Sequence, residues 1–353
     1  RSGAGFLGLP ESVLAYWLPS AQIQSLSNKE TLPKSGGRAF HGLQTTDDFR
    51  FLRLCWEVPS ELIGREKDWV FFAKGGEYKP YWDDLHLTLN WAADGRELKA
   101  LISKKVEAKY GSPNWSRWIN AWGQYFLGGL TFPERTTSDF SPRLLPADCI
   151  FSATGEAILF ENEDASLAYL AGAYTRPFKM LIDAMFGGGD SSVSGSAAIH
   201  YRSGFINALP NPTQALSDSA KVELARVLNG VMEVASRDEL SPLFCGPVTH
   251  PAESLSEGVR LNTQQELNVA VTAIELNRNV EDVVCANLGV TGTDKRALDG
   301  AVGPHPAAYS QEISDETCSL IRKYWLWPTS RLVDHAVQAM GARRQLTKKS
   351  YLH

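Results

Sequence analysis

Residues 129–152 read GLTFPERTTSDFSPRLLPADCIFS, and residues 71–84 read FFAKGGEYKPYWDD. Both stretches mix lysine, arginine, tyrosine and threonine with glycine and proline, at positions where a core element would be apolar. Glycine and proline fix the backbone shape of turns, and binding residues concentrate on such segments. We therefore predict that the two stretches are loops that contact a ligand.

The overall charge restricts how that ligand can be bound. The chain has 353 residues, of which 43% are apolar and 21% are charged, as expected for a globular protein with a full core. Its net charge of −5 and its pI near 5.9 argue against a protein that coats nucleic acid without specificity. A nucleic-acid surface would have to be local.

Cysteine and hydropathy patterns indicate the cellular setting. The five cysteines are an odd number and form no Cys-x-x-Cys pair, which suits neither a disulfide framework nor a zinc site. No apolar run reaches the roughly 18 residues of a membrane span. We expect a cytoplasmic protein with no membrane partner and no bound metal. The opening residues, RSGAGFLGLP, resemble the cut end of a longer polypeptide.

The order of periodic segments predicts an α+β fold followed by an α-helical region. Residues 1–212 mix strand-like and helical patterns and predict a mixed sheet with helices, whereas residues 213–353 are helical in character. The strand patterns lie at 85–91 and around 149–160. Helical patterns lie at 11–25, 97–109, 165–187 with a kink at Pro177, 218–236, 263–283, 315–326 and 329–340.

Motifs for catalysis are absent from the sequence. It contains no Gly-x-Ser-x-Gly, His-Glu-x-x-His or Walker motif, and no Asn/Asp-Pro-Pro-Tyr/Phe motif with which amino-methyltransferases hold a flipped adenine. Asp84, Glu97 and Lys99 have the layout of a metal-dependent nuclease. However, residues two apart on a helix point to different faces, so a solvated helix start explains Glu97 and Lys99 better. No catalytic residue is predicted.

Hydrogen-bond donors suited to DNA occur in clusters. Arginine and lysine can bond guanine, glutamine can bond adenine, and threonine or tyrosine can hold phosphates. The predicted DNA-binding residues are Gln44, Thr45, Arg50, Arg53, Lys74, Tyr78, Lys79, Arg135, Thr136, Arg143, Tyr201 and Arg202. Arg50, Lys74, Arg135 and Arg143 are the strongest candidates. Ordinary surface charge on loops is the alternative for all of them.

Six sequence blocks in fixed order resemble a known family. They are GLQTTDDFRFLR, WVFFAKGGEYKPYW, LTLNWAADGRELK, GLTFPERT, FSPRLLPADCIFS and YRSGFINALPNP. In this order they resemble the C-terminal target-recognition region of large adenine-specific DNA methyltransferases, most of all the PglX-like proteins of BREX phage-exclusion systems and related type II restriction-modification enzymes. The chain departs from the family at Thr46, where glycine is usual, and at the terminal MGARRQLTKK, which replaces a Gly-Arg-aromatic element.

The resemblance implies the role of a fragment. In the family, a domain that uses S-adenosylmethionine methylates adenine N6, and the region similar to this chain selects the DNA site. It implies a sequence-specific double-stranded DNA recognition module that holds no cofactor itself. The implied partners are double-stranded DNA, the catalytic domain and other subunits of a phage-defence system. A protein-interaction module that docks onto nuclease or translocase partners is the alternative function.

Overall fold

The structure, a computed structural model, describes residues 30–186, 198–246 and 255–290 together with a few isolated positions. Within these residues it confirms the predicted α+β class, because two four-stranded sheets are packed with helices. Apart from Ile23, which is helical, the helix predicted at 11–25 lies outside the described residues. The same is true of the last two predicted helices and of the terminal MGARRQLTKK.

The first sheet is antiparallel throughout. Its strands are ordered β1 (Gly37–Phe40), β9 (Gly155–Phe160), β5 (Gly129–Pro133) and β7 (Arg143–Leu145). Successive strand residues point to opposite faces. Accordingly, Ile158 packs into one hydrophobic cluster, and its neighbours Ala157 and Leu159 pack into another. This sheet therefore contributes to two cores.

The second sheet contains one parallel pair of strands. Its order is β2 (Leu52–Leu54), β4 (Leu87–Asn90), β3 (Trp69–Ala73) and β8 (Cys149–Phe151), and β3 runs parallel to β8. A short antiparallel pair joins β6 (Arg135–Thr136) to β10 (Ile199–His200). The strands predicted at 85–91 and around 149–160 are confirmed.

Helices cover the sheets and form the C-terminal part. The α-helices of the described residues are α1 (Asp48–Phe51), α2 (Ala92–Tyr110), α3 (Glu163–Ala173), α4 (Arg176–Phe186), α5 (Ser203–Ala208), α6 (Asp218–Ala235) and α7 (Leu255–Leu288). Short 3-10 segments lie at Leu32–Ser35, Cys55–Glu57, Ser60–Leu62, Trp115–Arg117 and Trp122–Gln124. Local sequence explains the starts of two helices: the side chain of Asn162 accepts a bond from the Ala165 amide at 2.8 Å, and Ser217 caps α6 in the same way.

The hydrophobic core is continuous across the predicted domain boundary near residue 212. Leu224 of α6 and Val280 of α7 belong to the same buried cluster as Leu170 of α3, Phe178 of α4 and Ile158 of the first sheet. The second cluster joins the second sheet to α2 and to the other face of the first sheet. The helical region therefore packs directly against the mixed part, and the division at residue 212 stays a prediction about domains.

Three predictions about local structure are wrong. Residues 129–152 are not a loop, since GLTFP, RLL and CIF form strands β5, β7 and β8. The stretch 165–187 is not one kinked helix but two helices, and Pro177 lies in the first turn of α4, where proline's missing amide costs little. The helix predicted to begin near residue 263 begins at Leu255.

Candidate nucleic-acid interface

The parallel pairing of β3 and β8 brings two polar segments to one edge of the second sheet. Because parallel strands end at the same edge, Lys74 after β3 lies beside Thr154 after β8. Thr154 Oγ1 donates to the Lys74 carbonyl oxygen at 2.9 Å. Gly75 has a φ of 82°, and a Cβ atom there would overlap the Thr154 carbonyl oxygen. Glycine thus allows the two loops to touch.

The loop after β1 lies along the same edge. A Cβ atom on Gly42 would overlap the Phe151 carbonyl oxygen, so the missing side chain lets this loop approach β8. The Leu43 amide donates to the Phe151 carbonyl oxygen at 3.1 Å, and the Gln44 amide donates to that of Trp118 at 2.8 Å. These backbone bonds leave the side chain of Gln44 exposed at the edge.

Asp48 fixes helix α1 to this edge. Its carboxylate accepts hydrogen bonds from Lys74 Nζ and Thr45 Oγ1. Partial burial opposes ionisation, but these two bonds hold the pKa of Asp48 below its usual value. Asp47 caps the same helix by accepting a bond from the Arg50 amide at 3.2 Å. Helix α1 is therefore held on both sides although it has one turn.

Thr46, two residues before this helical turn, has a left-handed backbone. Thr46 has a φ of 59°, which glycine adopts freely and a β-branched residue rarely adopts. The methyltransferase family that the sequence resembles usually has glycine here, and glycine would adopt this conformation without strain. Lys105 Nζ donates to both the carbonyl oxygen and the Oγ1 of Thr46 at 3.0 Å. These bonds stabilise the threonine in its unfavourable conformation.

Two exposed arginines accompany α1. Arg50 Nε donates to Glu97 Oε1 at 2.9 Å, and both side chains are about half exposed. Arg53 Nη1 donates to the carbonyl oxygens of Phe49 and Leu52 at 2.8 and 2.6 Å. Contacts within the protein thus define the positions of both guanidinium groups, and both residues remain exposed.

The edge continues beyond Thr154 to the short strands β6 and β10. The Glu134 amide donates to the Thr154 carbonyl oxygen at 2.9 Å. The carboxylate of Glu134 lies 2.7 Å from His200 Nδ1 and 3.6 Å from Arg202 Nε. Arg135 pairs with His200 in the strand register and has an exposed side chain. Arg135 and Arg202 are therefore neighbours of the loops that carry Lys74 and Gln44.

A cleft of about 370 Å³ opens at Arg202. Its lining residues are His41, Glu134, Glu156, Arg202, Ser203, Gly204 and Phe205. Glu156 is 1% exposed, and its carboxylate lies 2.7 Å from His41 Nδ1 and accepts a bond from the Ser203 amide at 2.5 Å. The bond to Glu156 raises the pKa of His41, although burial opposes the shift. Sequence analysis missed this pair because its members are 115 residues apart.

We call the converging donors the loop edge. All of them are exposed or half-exposed, and they belong to segments joined by the contacts described above. The loop edge consists of Gln44, Arg50, Arg53, Lys74, Arg135, Thr136 and Arg202. His41 adds a titratable group beside it.

Arg143 does not belong to the loop edge, and its contact with DNA stays a prediction. It is 2% exposed, lies 2.9 Å from Asp83 and donates to the Glu77 carbonyl oxygen at 3.0 Å. Burial lowers the pKa of the Arg143 guanidinium, and Asp83 opposes that shift. A buried guanidinium with these partners holds the loop after β3 in place.

Four other predicted DNA contacts are buried or only partly exposed. Thr45 and Tyr201 are buried, Thr45 with its hydroxyl bonded within the loop and Tyr201 within the first hydrophobic cluster, and their contact with DNA stays a prediction. Tyr78 is half-buried, and burial raises the pKa of its hydroxyl. Lys79 is half-exposed and pairs with Asp83 at 2.8 Å. For Tyr78 and Lys79, DNA contact stays a prediction.

The three residues with a nuclease-like layout have separate roles. Glu97 pairs with Arg50, Lys99 pairs with Asp94 at 2.6 Å, and Asp84 accepts a bond from Ser241 at 3.0 Å. Within the described residues, no group of three or more histidine, cysteine, aspartate or glutamate side chains could hold a metal ion. No helix among those residues is long and apolar enough to cross a membrane.

Comparison with known proteins finds two adenine-specific methyltransferases. The chain is 31% identical over 169 residues to the adenine-specific methyltransferase BrxX of Escherichia coli O9:H4 (strain HS). It is 24% identical over 174 residues to the adenine-specific methyltransferase PglX of Lacticaseibacillus casei (strain Zhang). Each match covers 46% of this chain but only 13% and 14% of those relatives. No protein-family model matches. The chain thus shares partial homology with adenine-specific methyltransferases.

Proposed function

We propose that this chain is the target-recognition module of an adenine-specific DNA methyltransferase, and that its loop edge contacts double-stranded DNA. One observation supports the proposal most strongly: exposed arginine, lysine and glutamine side chains from separate parts of the sequence lie on segments that contact one another. Such side chains bond phosphates for position and base edges for specificity. A local cationic surface also agrees with a net charge of −5.

The acidic partners of the loop edge are compatible with DNA binding. Asp48 and Glu97 are partly exposed in their pairs with Lys74 and Arg50. Exposed ion pairs contribute about 0–1 kcal/mol, so their loss costs little. A DNA phosphate offers a charged acceptor of comparable or greater strength and can replace a surface carboxylate. The cations of the loop edge are therefore available to a duplex.

The cofactor is proposed to bind outside this chain. In doubly wound α/β folds, a nucleotide cofactor lies where a parallel strand leads through a glycine-rich turn into a helix. Here the parallel strands are β3 and β8, and each is followed by a loop and then by another strand. Neither parallel strand is therefore followed by the turn and helix of such a site. We propose that a separate catalytic domain binds S-adenosylmethionine and methylates adenine N6, with this chain as its partner.

Methylation mapping tests the proposed role in the protein as it exists. We expect cells that carry the full-length parent gene to show N6-methyladenine at one short DNA sequence. The variants Arg50→Ala and Arg135→Ala should lower the level of methylation at that sequence, because a lost phosphate contact weakens binding to all duplexes alike. Lys221→Ala is a matched control, since it removes an exposed cation on α6, outside the loop edge.

An unchanged methylation sequence and level in both loop-edge variants would contradict a recognition role. If the variants instead keep the level of methylation but lose a nuclease or translocase from the purified complex, the competing protein-interaction function is favoured.

A further inference from the structure

Phe49 is the most exposed large apolar side chain of the described residues. It is 96% exposed, whereas the next, Trp122, is 59% exposed. Single exposed apolar residues are common, but they usually lie partly against the surface. A phenylalanine that stands almost free of its own protein is unusual and suggests a partner that surrounds the ring.

The backbone below this ring is firmly held. Phe49 lies in helix α1, and the next residue but one, Phe51, is buried and anchors the turn. Asp48 bonds Lys74, and Arg53 Nη1 donates to the Phe49 carbonyl oxygen at 2.8 Å. The ring is therefore presented from a preorganised turn, and its insertion into a partner would cost little backbone entropy.

The surroundings of the ring indicate which partner it fits. The residues that flank it in the sequence, Asp48 and Arg50, are charged, and Arg53 bonds its carbonyl oxygen. Asp48 is paired with Lys74 and Arg50 with Glu97, in pairs that are partly exposed, and the exposed Arg53 bonds only carbonyl oxygens. A protein interface would be expected to place such a ring in the centre of an apolar patch. A stack of bases flanked by phosphates offers an apolar slot with acceptors on both sides.

We infer that Phe49 inserts between neighbouring bases of the bound duplex, with Arg50 and Arg53 contacting the flanking backbone. Apolar side chains that enter a base step unstack it and bend the duplex. Such a wedge would open the DNA beside the adenine that a catalytic domain must rotate out of the helix. The inference rests on the proposed function, because it requires that the loop edge binds DNA.

Fluorescence of 2-aminopurine tests the wedge. The full chain is bound to a duplex selected from a random pool, with the fluorescent base placed at successive positions. We expect the signal to rise several-fold at one step because stacking quenches it. Phe49→Ala should abolish that rise and weaken binding roughly 5- to 150-fold, the range for loss of one base–aromatic stack. Phe49→Trp should retain the rise.

Controls separate the possible outcomes. Trp122→Ala removes another exposed aromatic side chain and should leave both readouts unchanged. If Phe49→Ala binds DNA with the same affinity and the same 2-aminopurine signal as the unmodified chain, the wedge is excluded while DNA recognition stands. If the unmodified chain shows no salt-dependent binding to any duplex, the proposed function fails and the wedge with it. Loss of a partner protein from the Phe49→Ala variant, with DNA binding intact, also overturns the inference.

Discussion

The loop edge and the Arg143 ion pair use the same residue types for different purposes. Arg202 at the loop edge is largely exposed and lies 3.6 Å from the carboxylate of Glu134, whereas Arg143 is buried and lies 2.9 Å from that of Asp83. Both arginines come from polar segments that look alike in sequence. Burial decides the role, because an exposed cation can exchange partners with little loss and a buried one cannot.

The largest effect is expected for the buried pair. Arg143→Met leaves Asp83 without its arginine and should lower the free energy of unfolding by about 3 kcal/mol. Breaking a buried ion pair costs about 3–5 kcal/mol, and the value expected here is at the lower end because Lys79 still lies 2.8 Å from Asp83. Urea denaturation measures the change. The double variant Arg143→Met with Asp83→Asn should recover part of it, since no buried charge is left unpaired and Lys79 is partly exposed. If Arg143→Met kept its stability but lost DNA binding, Arg143 would be a DNA contact and not a structural residue.

The opposite pattern is expected at the loop edge. Arg202→Ala should change the free energy of unfolding by no more than about 0.5 kcal/mol, as for other surface substitutions. It should weaken duplex binding by about 1–3 kcal/mol if the guanidinium contacts a base. Fluorescence anisotropy with the duplex selected from a random pool measures this loss, with Lys221→Ala as the control. A stability loss comparable to that of Arg143→Met would remove the distinction between the two regions.

A smaller effect is expected at Thr46, which lies beside the loop edge and has a strained backbone. Thr46→Gly relieves a left-handed residue and should raise the free energy of unfolding by up to about 1 kcal/mol. The loss of the bond from Lys105 offsets part of this gain. Thr46→Ala keeps the strain and loses the hydroxyl, so thermal melting should rank it below the glycine variant. A glycine variant less stable than the alanine variant would show that the strain is unimportant.

The smallest effect concerns pH. The bond to Glu156 raises the pKa of His41 in the folded protein, so folding is favoured by protonation. The stabilisation is complete below the ordinary histidine value of about 6.5 and is lost as the pH rises through the higher folded-state pKa. Melting temperatures between pH 6 and 9 should therefore fall more for the unmodified chain than for His41→Gln. Parallel curves would contradict this account of the pair.

The sequence predicted well those features that depend on local pattern. LTLN and CIF alternate or run apolar as strands do, and the Asp94-Gly95 turn starts the helix that carries Glu97. Residues 129–152 were misjudged because prolines and arginines interrupt apolar runs that tertiary packing nevertheless buries. Leu130 and Phe132 are fully buried in a stretch interpreted as a loop.

The candidate site depends on contacts that no local pattern contains. Gln44, Lys74 and Arg135 were each predicted from residue type, but their convergence depends on the parallel pairing of β3 with β8. Likewise, His41 meets Glu156 only through the fold. Arginine at position 143 gave no sign of burial, since its partner Asp83 lies on a separate loop. Long-range pairing therefore decides which polar residues face solvent.

The salt dependence of duplex binding tests the central claim most directly. If the loop edge binds phosphates, the logarithm of the association constant should fall linearly with the logarithm of salt concentration, and each lost contact should reduce the slope by about 0.9. We predict this reduction for Arg50→Ala, Arg135→Ala and Arg202→Ala, and an unchanged slope for Lys221→Ala and Arg143→Met. The same slope in all five variants, or binding that does not respond to salt, would contradict the account.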